Sequence, residues 1–166
     1  HPYLEQISEI FDESSCVSIE RDMEMVYIDV YTGRGRALMS RQRIGNTAPM
    51  HCTGNGKLCL LNYSEEQLDR LICQRGLPRF TEYTLTTKEA LMERLEEIRK
   101  VGYACDEEEC EIGMRCLAYP IRDYTRRIIG GISITGPSSR LNSEVLMNKA
   151  HYLQTAAEEI SSKLGY

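Results

Sequence analysis

The sequence predicts an α+β domain: a mostly antiparallel six-stranded sheet flanked by helices and followed by a long C-terminal helix. Three observations carry that prediction. Apolar residues recur in blocks, first three or four residues apart, then two, then three or four, then two, then three or four again. Strands grouped in threes with helices gathered between them suit an antiparallel sheet better than alternating parallel units. Finally, 166 residues without repeats, low-complexity tracts or Pro/Ser-rich linkers form one domain, long enough to bury its own core.

Taken in order, Leu4, Ile7, Ile10 and Phe11 share one face of an opening helix. Across residues 16–40 the period drops to two. Val17 with Ile19, then Val26, Ile28 and Val30, then Leu38 and its neighbours, predict three strands. Helices resume after Pro49, with a short apolar one over residues 54–61. Ser64-Glu-Glu-Gln67 is a capping box that starts a helix with Leu68, Leu71 and Ile72 inward and Gly76 as its stop. Thr86-Thr-Lys-Glu89 reads as a second capping box, whose helix carries Leu91, Leu95 and Ile98 inward and ends at Gly102. Strands return near residues 103–106, 113–121 and 127–135. Asn142 caps the last helix, with Leu146, Ala150, Leu153, Ala157, Ile160 and Leu164 inward.

Composition excludes some functions. The net charge is −5 with both signs interspersed, so no basic face offers itself to nucleic acid. Arg34, Arg36, Arg41 and Arg43 form the one basic run, expected as a solvated loop and strand edge. No apolar stretch is long enough to cross a bilayer and no signal-peptide pattern opens the chain. Seven cysteines without framework spacing predict reduced thiols in a cytoplasmic protein.

A candidate site emerges from the last two strands. If Tyr124 and Thr125 form a two-residue turn, Asp123 pairs with Arg126, Cys116 lies opposite Ser133, and Met114 lies opposite Thr135. One face then carries Leu117, Tyr119, Ile132 and Ile134. The other carries Cys116, Ser133, Thr135, Ala118 and Gly131, small or polar groups that suit either a ligand pocket or a solvent-exposed sheet. Thr53-Gly54-Asn55-Gly56 opens a helix whose first backbone amides point outward, where an anion is favoured. Gly54 would let a ligand approach that backbone closely.

Together these segments resemble the effector-binding domain of the IclR family of bacterial transcription regulators. The likeness rests on Gly45 and Pro49-Met-His51 leading into Gly54-x-Gly56-Lys57, then Ile98-Arg99-x-x-Gly102-Tyr103 with Asp106 and Glu108-Glu109. Gly113-x-x-Cys116-x-Ala118-x-Pro120 and Ser133-Ile-Thr-Gly-Pro-Ser-Ser-Arg140 follow in the same order. The resemblance implies a GAF-like fold and a non-enzymatic domain that senses a small carboxylic acid, organic or sugar-derived, without a cofactor or metal. It implies an effector site at the Gly54 and Asn55 backbone with Asp106, Cys116, Ser133 and Thr135. Expected partners are a second copy, as dimer or tetramer, and DNA only through an N-terminal winged helix-turn-helix domain absent from these 166 residues. Two departures stand out. Asn55 occupies a position where relatives often carry alanine or another small residue, and Thr135 one where many carry serine; both suggest a more hydroxylated acid.

Two rival readings start from the same residues. His51-Cys52 with Asp106, or Cys52 with Cys116 in the manner of GAF-like sulfoxide reductases, suggests a thiol enzyme, although adjacent residues on an extended segment point apart. Cys105, Cys110 and Cys116 with His51 or Asp106 suggest a metal sensor, although their spacings lack the close cysteine pair of structural zinc sites.

Overall fold

A computed structural model describes residues 1–32 and 42–166. Its order is α1 (Pro2–Phe11), β1 (Ser14–Arg21), β2 (Glu24–Tyr31), β3 (Thr47–Ala48), α2 (Gly54–Leu60), α3 (Glu65–Arg75), α4 (Lys88–Val101), β4 (Ala104–Glu107), β5 (Met114–Arg122), β6 (Ile128–Pro137) and α5 (Ser143–Lys163). The six strands form one sheet in the order β3-β2-β1-β6-β5-β4, and every neighbouring pair is antiparallel. The predicted strand around Leu38, and Arg34, Arg36 and Arg41, lie outside the described residues. The two-residue strand β3 was not legible, because Thr47 and Ala48 are too few to show alternation.

Both faces of the sheet are covered. Leu4, Ile7 and Phe11 of α1 and Leu153 and Ala157 of α5 pack on Leu117, Tyr119, Ile132 and Ile134, the four residues the alternation places together. On the opposite face α2, α3 and α4 bring Leu58, Leu68, Leu71, Leu91, Leu95 and Ile98 against Ala104, Cys116 and Ala118. The face that could have been solvent-exposed is therefore buried: Ser133 is 2% and Cys116 7% exposed.

Helix signals hold with small shifts. Ser64 and Gln67 form the predicted capping box, and Gly76 closes α3. In α4 the cap is Thr87, not Thr86; its hydroxyl accepts from the Ala90 N–H, so no Thr86–Glu89 box forms. Gly102 ends that helix at φ 83°. Leu164, expected inward, is 43% exposed just past the end of α5.

The predicted register of β5 and β6 is wrong by two residues. Cys116 lies opposite Thr135, and Ala118 opposite Ser133. The connection is longer than two residues: the Asp123 N–H bonds the Arg127 carbonyl, Arg126 adopts φ 69°, and an irregularity follows between Ile121 and Arg122. An even shift preserves faces, so each side chain still points where the alternation predicts.

Candidate functional site

Strand register builds the site. Across four neighbouring strands, Ser14, Thr135, Cys116 and Asp106 form one row, and Cys16, Ser133, Ala118 and Ala104 the next. A cavity of about 400 Å³ opens over these rows. Gly54, Asn55, Asp106, Cys116, Ser133 and Thr135 all line it, joined by Ser18 and Tyr27 from the first two strands and by Phe80, Cys110 and Met114. Sequence reasoning missed Ser18 and Tyr27, and named Cys110 only as a candidate metal ligand. Ser18 and Tyr27 become neighbours of the site only once β1 pairs with β6 and β2 with β1, pairings that no short-range signal reveals.

The helix α2 stands on this sheet, and its glycines explain how. A Cβ on Gly54 would lie 2.9 Å from the Ala118 Cβ and 3.3 Å from the Cys116 Sγ. A Cβ on Gly56 would lie 2.4 Å from the Met50 backbone. Gly54 therefore serves helix–sheet packing as well as lining the cavity. Thr53 precedes the helix in an extended conformation, but its hydroxyl donates to the Pro49 carbonyl at 2.7 Å. It leaves the first-turn amides of α2 without a side-chain cap, although Gly54, Asn55 and Gly56 are all buried.

Asn55 is a strut. Its Nδ2 donates to the Ser18 Oγ at 2.8 Å and the Ser133 Oγ at 3.3 Å, and its Oδ1 has no hydrogen-bond partner among the described residues. Asn55 thus uses its donor to hold two hydroxyls in place. Gly131 permits this, since a Cβ there would lie 2.3 Å from the Asn55 Oδ1. Ser133 also touches the Cys16 Sγ at 3.1 Å, and the Thr135 Oγ1 accepts from the Gln42 Nε2 at 2.9 Å.

Asp106 is buried, with its Oδ1 accepting from the Glu109 N–H at 2.8 Å and the Cys110 N–H at 3.4 Å. Burial raises its pKa to about 7 despite Lys57 nearby, which pulls the other way. Its protonated form is therefore favoured far more than in an exposed aspartate. Lys57, fully buried on α2, bonds the buried Glu109; Arg94 of α4 stands 3.7 Å from the same carboxylate oxygen. Thr81 and Thr84 donate to the Glu108 and Glu109 carbonyls at 2.7 and 2.6 Å, tying the β4–β5 turn to the α3–α4 loop.

Burial disfavours the reactive thiolate form of Cys16 and Cys116. Burial pushes Cys16 up to about 12, and Cys116 upward as well, with Asp106 adding to the effect. His51 turns away from Cys52; its Nε2 bonds the Pro78 carbonyl at 3.1 Å, and burial lowers its pKa. The metal reading fails on strand alternation: Cys105 lies on the face opposite Asp106 and Cys116, among the residues under α5. Among the described residues no group of three or more His, Cys, Asp or Glu is placed to hold a metal ion.

Comparison with known proteins decides the family. Residues 1–162 match the family described as bacterial transcriptional regulator IclR C-terminal. The chain belongs to the IclR family. It is 33% identical over 164 residues to the HTH-type transcriptional repressor AllR of Escherichia coli, covering 99% of this chain and 60% of that protein. The chain thus spans about three-fifths of the length of this curated relative. The crystal structure of the Thermotoga maritima IclR superposes with a TM-score of 0.92 at 34% identity, covering 100% of this chain and 67% of that one. The C-terminal domain of the E. coli transcriptional regulator KdgR superposes with a TM-score of 0.86 at 30% identity, covering 99% and 95%. The IclR relatives therefore share both the sheet and the helix order described above. Among the described residues no helix is long and apolar enough to cross a membrane.

Proposed function

We propose that this chain is the effector-sensing part of a bacterial transcription regulator, and that its effector is a small carboxylic acid held in the 400 Å³ cavity. One observation carries the reading: Asn55, Asp106, Ser133 and Thr135 converge on a cavity whose wall mixes apolar groups such as Met25, Phe80 and Met114 with further polar ones, Ser18, Gln42 and Glu111 among them. Such a site selects by shape and a few polar contacts and needs no reacting group.

The Gly54 and Asn55 amides, with the Ser133 and Thr135 hydroxyls, are suited to a carboxylate. Asp106, one strand beyond Cys116, faces the other end of the ligand, donating to a carbonyl when protonated or accepting from a hydroxyl when ionised. Affinity for a carboxylate then falls as pH rises through about 7, because an ionised Asp106 repels it. Regulation requires that the acid bind two states of the assembly with different affinity. The readout on DNA belongs to a helix-turn-helix portion outside this chain, and the working unit is a homodimer or tetramer in the cytoplasm.

The test is thermal melting against a panel of short keto, hydroxy and aromatic acids, with Ser133→Ala alongside. An acid at a hundred times its dissociation constant stabilises by about 2.7 kcal/mol, a rise of roughly 5–10 °C for a domain of this size. The reading predicts that Ser133→Ala removes the shift. A shift retained in Ser133→Ala, or no shift with any acid, would sink it.

A further inference from the structure

Neither the Cys52 nor the Cys110 thiol has a role in the proposed acid recognition, yet their Sγ atoms stand 3.2 Å apart. They come from segments 58 residues apart in the chain: Cys52 lies just before α2, and Cys110 in the β4–β5 turn. Cys52 is fully buried, whereas Cys110 is partly exposed and lines the cavity, so a solute entering the cavity meets Cys110 with Cys52 behind it. Of the remaining cysteines, Cys73 is exposed on α3, Cys16, Cys59 and Cys116 are buried, and Cys105, partly exposed, lies on the opposite face of the sheet.

We propose that Cys52 and Cys110 are a reversible oxidation site, closing to a disulfide that crosslinks the approach to α2 with the cavity wall. A peroxide is the oxidant class. The Cys110 sulfur attacks one peroxide oxygen and breaks the O–O bond, giving a sulfenic acid and one water. The Cys52 sulfur then attacks that sulfur, and hydroxide leaves as a second water with the two thiol protons accounted for. Two thiols lose two electrons and the peroxide gains them. Forming the bond requires the two sulfurs to close from contact to the about 2.05 Å of a disulfide. The crosslink bears on the site because the Cys110 N–H also bonds Asp106, so drawing Cys110 toward Cys52 changes how that carboxylate is held.

The hydrogen bond to Cys52 and burial hold the Cys110 thiol well above its ordinary range. Oxidation therefore quickens as pH rises, following the thiolate fraction.

The experiment uses reduced protein and hydrogen peroxide, followed by alkylation and peptide mapping before and after dithiothreitol. The expected result is a Cys52–Cys110 linked peptide that dithiothreitol removes, a melting temperature raised by several degrees as the unfolded chain is tethered, and neither change in Cys52→Ser or Cys110→Ser. The exposed Cys73 serves as the internal control. Oxidation of Cys73 with Cys52 and Cys110 still fully alkylated would overturn the proposal. So would a crosslink joining Cys110 to Cys116. The mapping reads the wild-type protein, so it decides even if a serine variant folds poorly, and it does not depend on which acid the cavity binds.

Discussion

Replacing Gly131 by alanine tests the arrangement of the site most directly. The added Cβ would lie 2.3 Å from the Asn55 Oδ1, 2.9 Å from its Cγ and 3.2 Å from the Tyr119 carbonyl. Gly131 does not have a positive φ, so alanine suits the backbone and the whole effect comes from the contact. The carbonyl contact can relax by a few tenths of an ångström. The amide cannot, because two hydrogen bonds fix it to Ser18 and Ser133. Swinging it aside forfeits both bonds, and each is worth about 0.5–1.5 kcal/mol. Overpacking of a filled core costs a similar 1–3 kcal/mol, and the two descriptions overlap, so the expected loss is about 2–3 kcal/mol. In a domain of this length that lowers the melting temperature by roughly 5–10 °C.

The sharper reading comes from the double variant. Asn55→Ala alone should cost about 1–2 kcal/mol through the hydroxyls it leaves unpaired. In that background the Gly131→Ala methyl enters space the amide has vacated, so the second change should add almost nothing. The double variant should match Asn55→Ala within about 0.5 kcal/mol, a coupling of about 2 kcal/mol in its favour. Chemical denaturation of the four proteins measures the cycle. Additive losses would show that the contact between Gly131 and Asn55 is not what makes the glycine necessary.

Two other outcomes follow from the buried charges. Lys57→Met strands the Glu109 carboxylate with Arg94 at 3.7 Å as its nearest cation, and should cost about 3–5 kcal/mol, whereas Lys57→Met with Glu109→Leu should recover much of that loss in urea unfolding. For Asp106 the folded pKa, about 7, lies above the ordinary carboxylate value of 3.8. Between those values the folded state binds more protons than the unfolded one, so stability falls as pH rises through this window, by at most about 1.4 kcal/mol per unit, and levels off above it. Melting curves from pH 4 to 8 should show that decline in the wild type and a flatter profile in Asp106→Asn; equal slopes would refute the assignment.

Fold class, helix caps and the partition of side chains between the two faces of the sheet were legible in the sequence, because each depends on neighbours within a few residues. Ser64 with Gln67 and the alternation of residues 116–119 are signals of that kind. Register was not. A left-handed Arg126 and an irregularity at Ile121 displaced the pairing by two residues, and nothing in Asp123-Tyr124-Thr125-Arg126 distinguishes that loop from a two-residue turn. Candidate residues survived the error because an even displacement leaves faces unchanged. Lys57 illustrates the opposite case. It reads as an ordinary solvated lysine until the β4–β5 turn places Glu109 against it, 52 positions along the chain.

The same comparison explains why this region suits a sensor. Around the cavity the folded chain keeps several polar groups in poor circumstances. The first turn of α2 lacks a side-chain cap, the Asn55 Oδ1 has no partner among the described residues, and Asp106 is held where its charged form is disfavoured. Each such group costs about 1–3 kcal/mol relative to a satisfied one. A domain of this size has only about 5–15 kcal/mol in total, so these losses are large enough to matter. A ligand that offers an acceptor to the amides and a partner to Asp106 recovers part of that free energy as binding. It also stiffens the contact between α2 and β4–β6. The polar groups that weaken this face thus give a bound ligand leverage over the conformation of the surrounding structure.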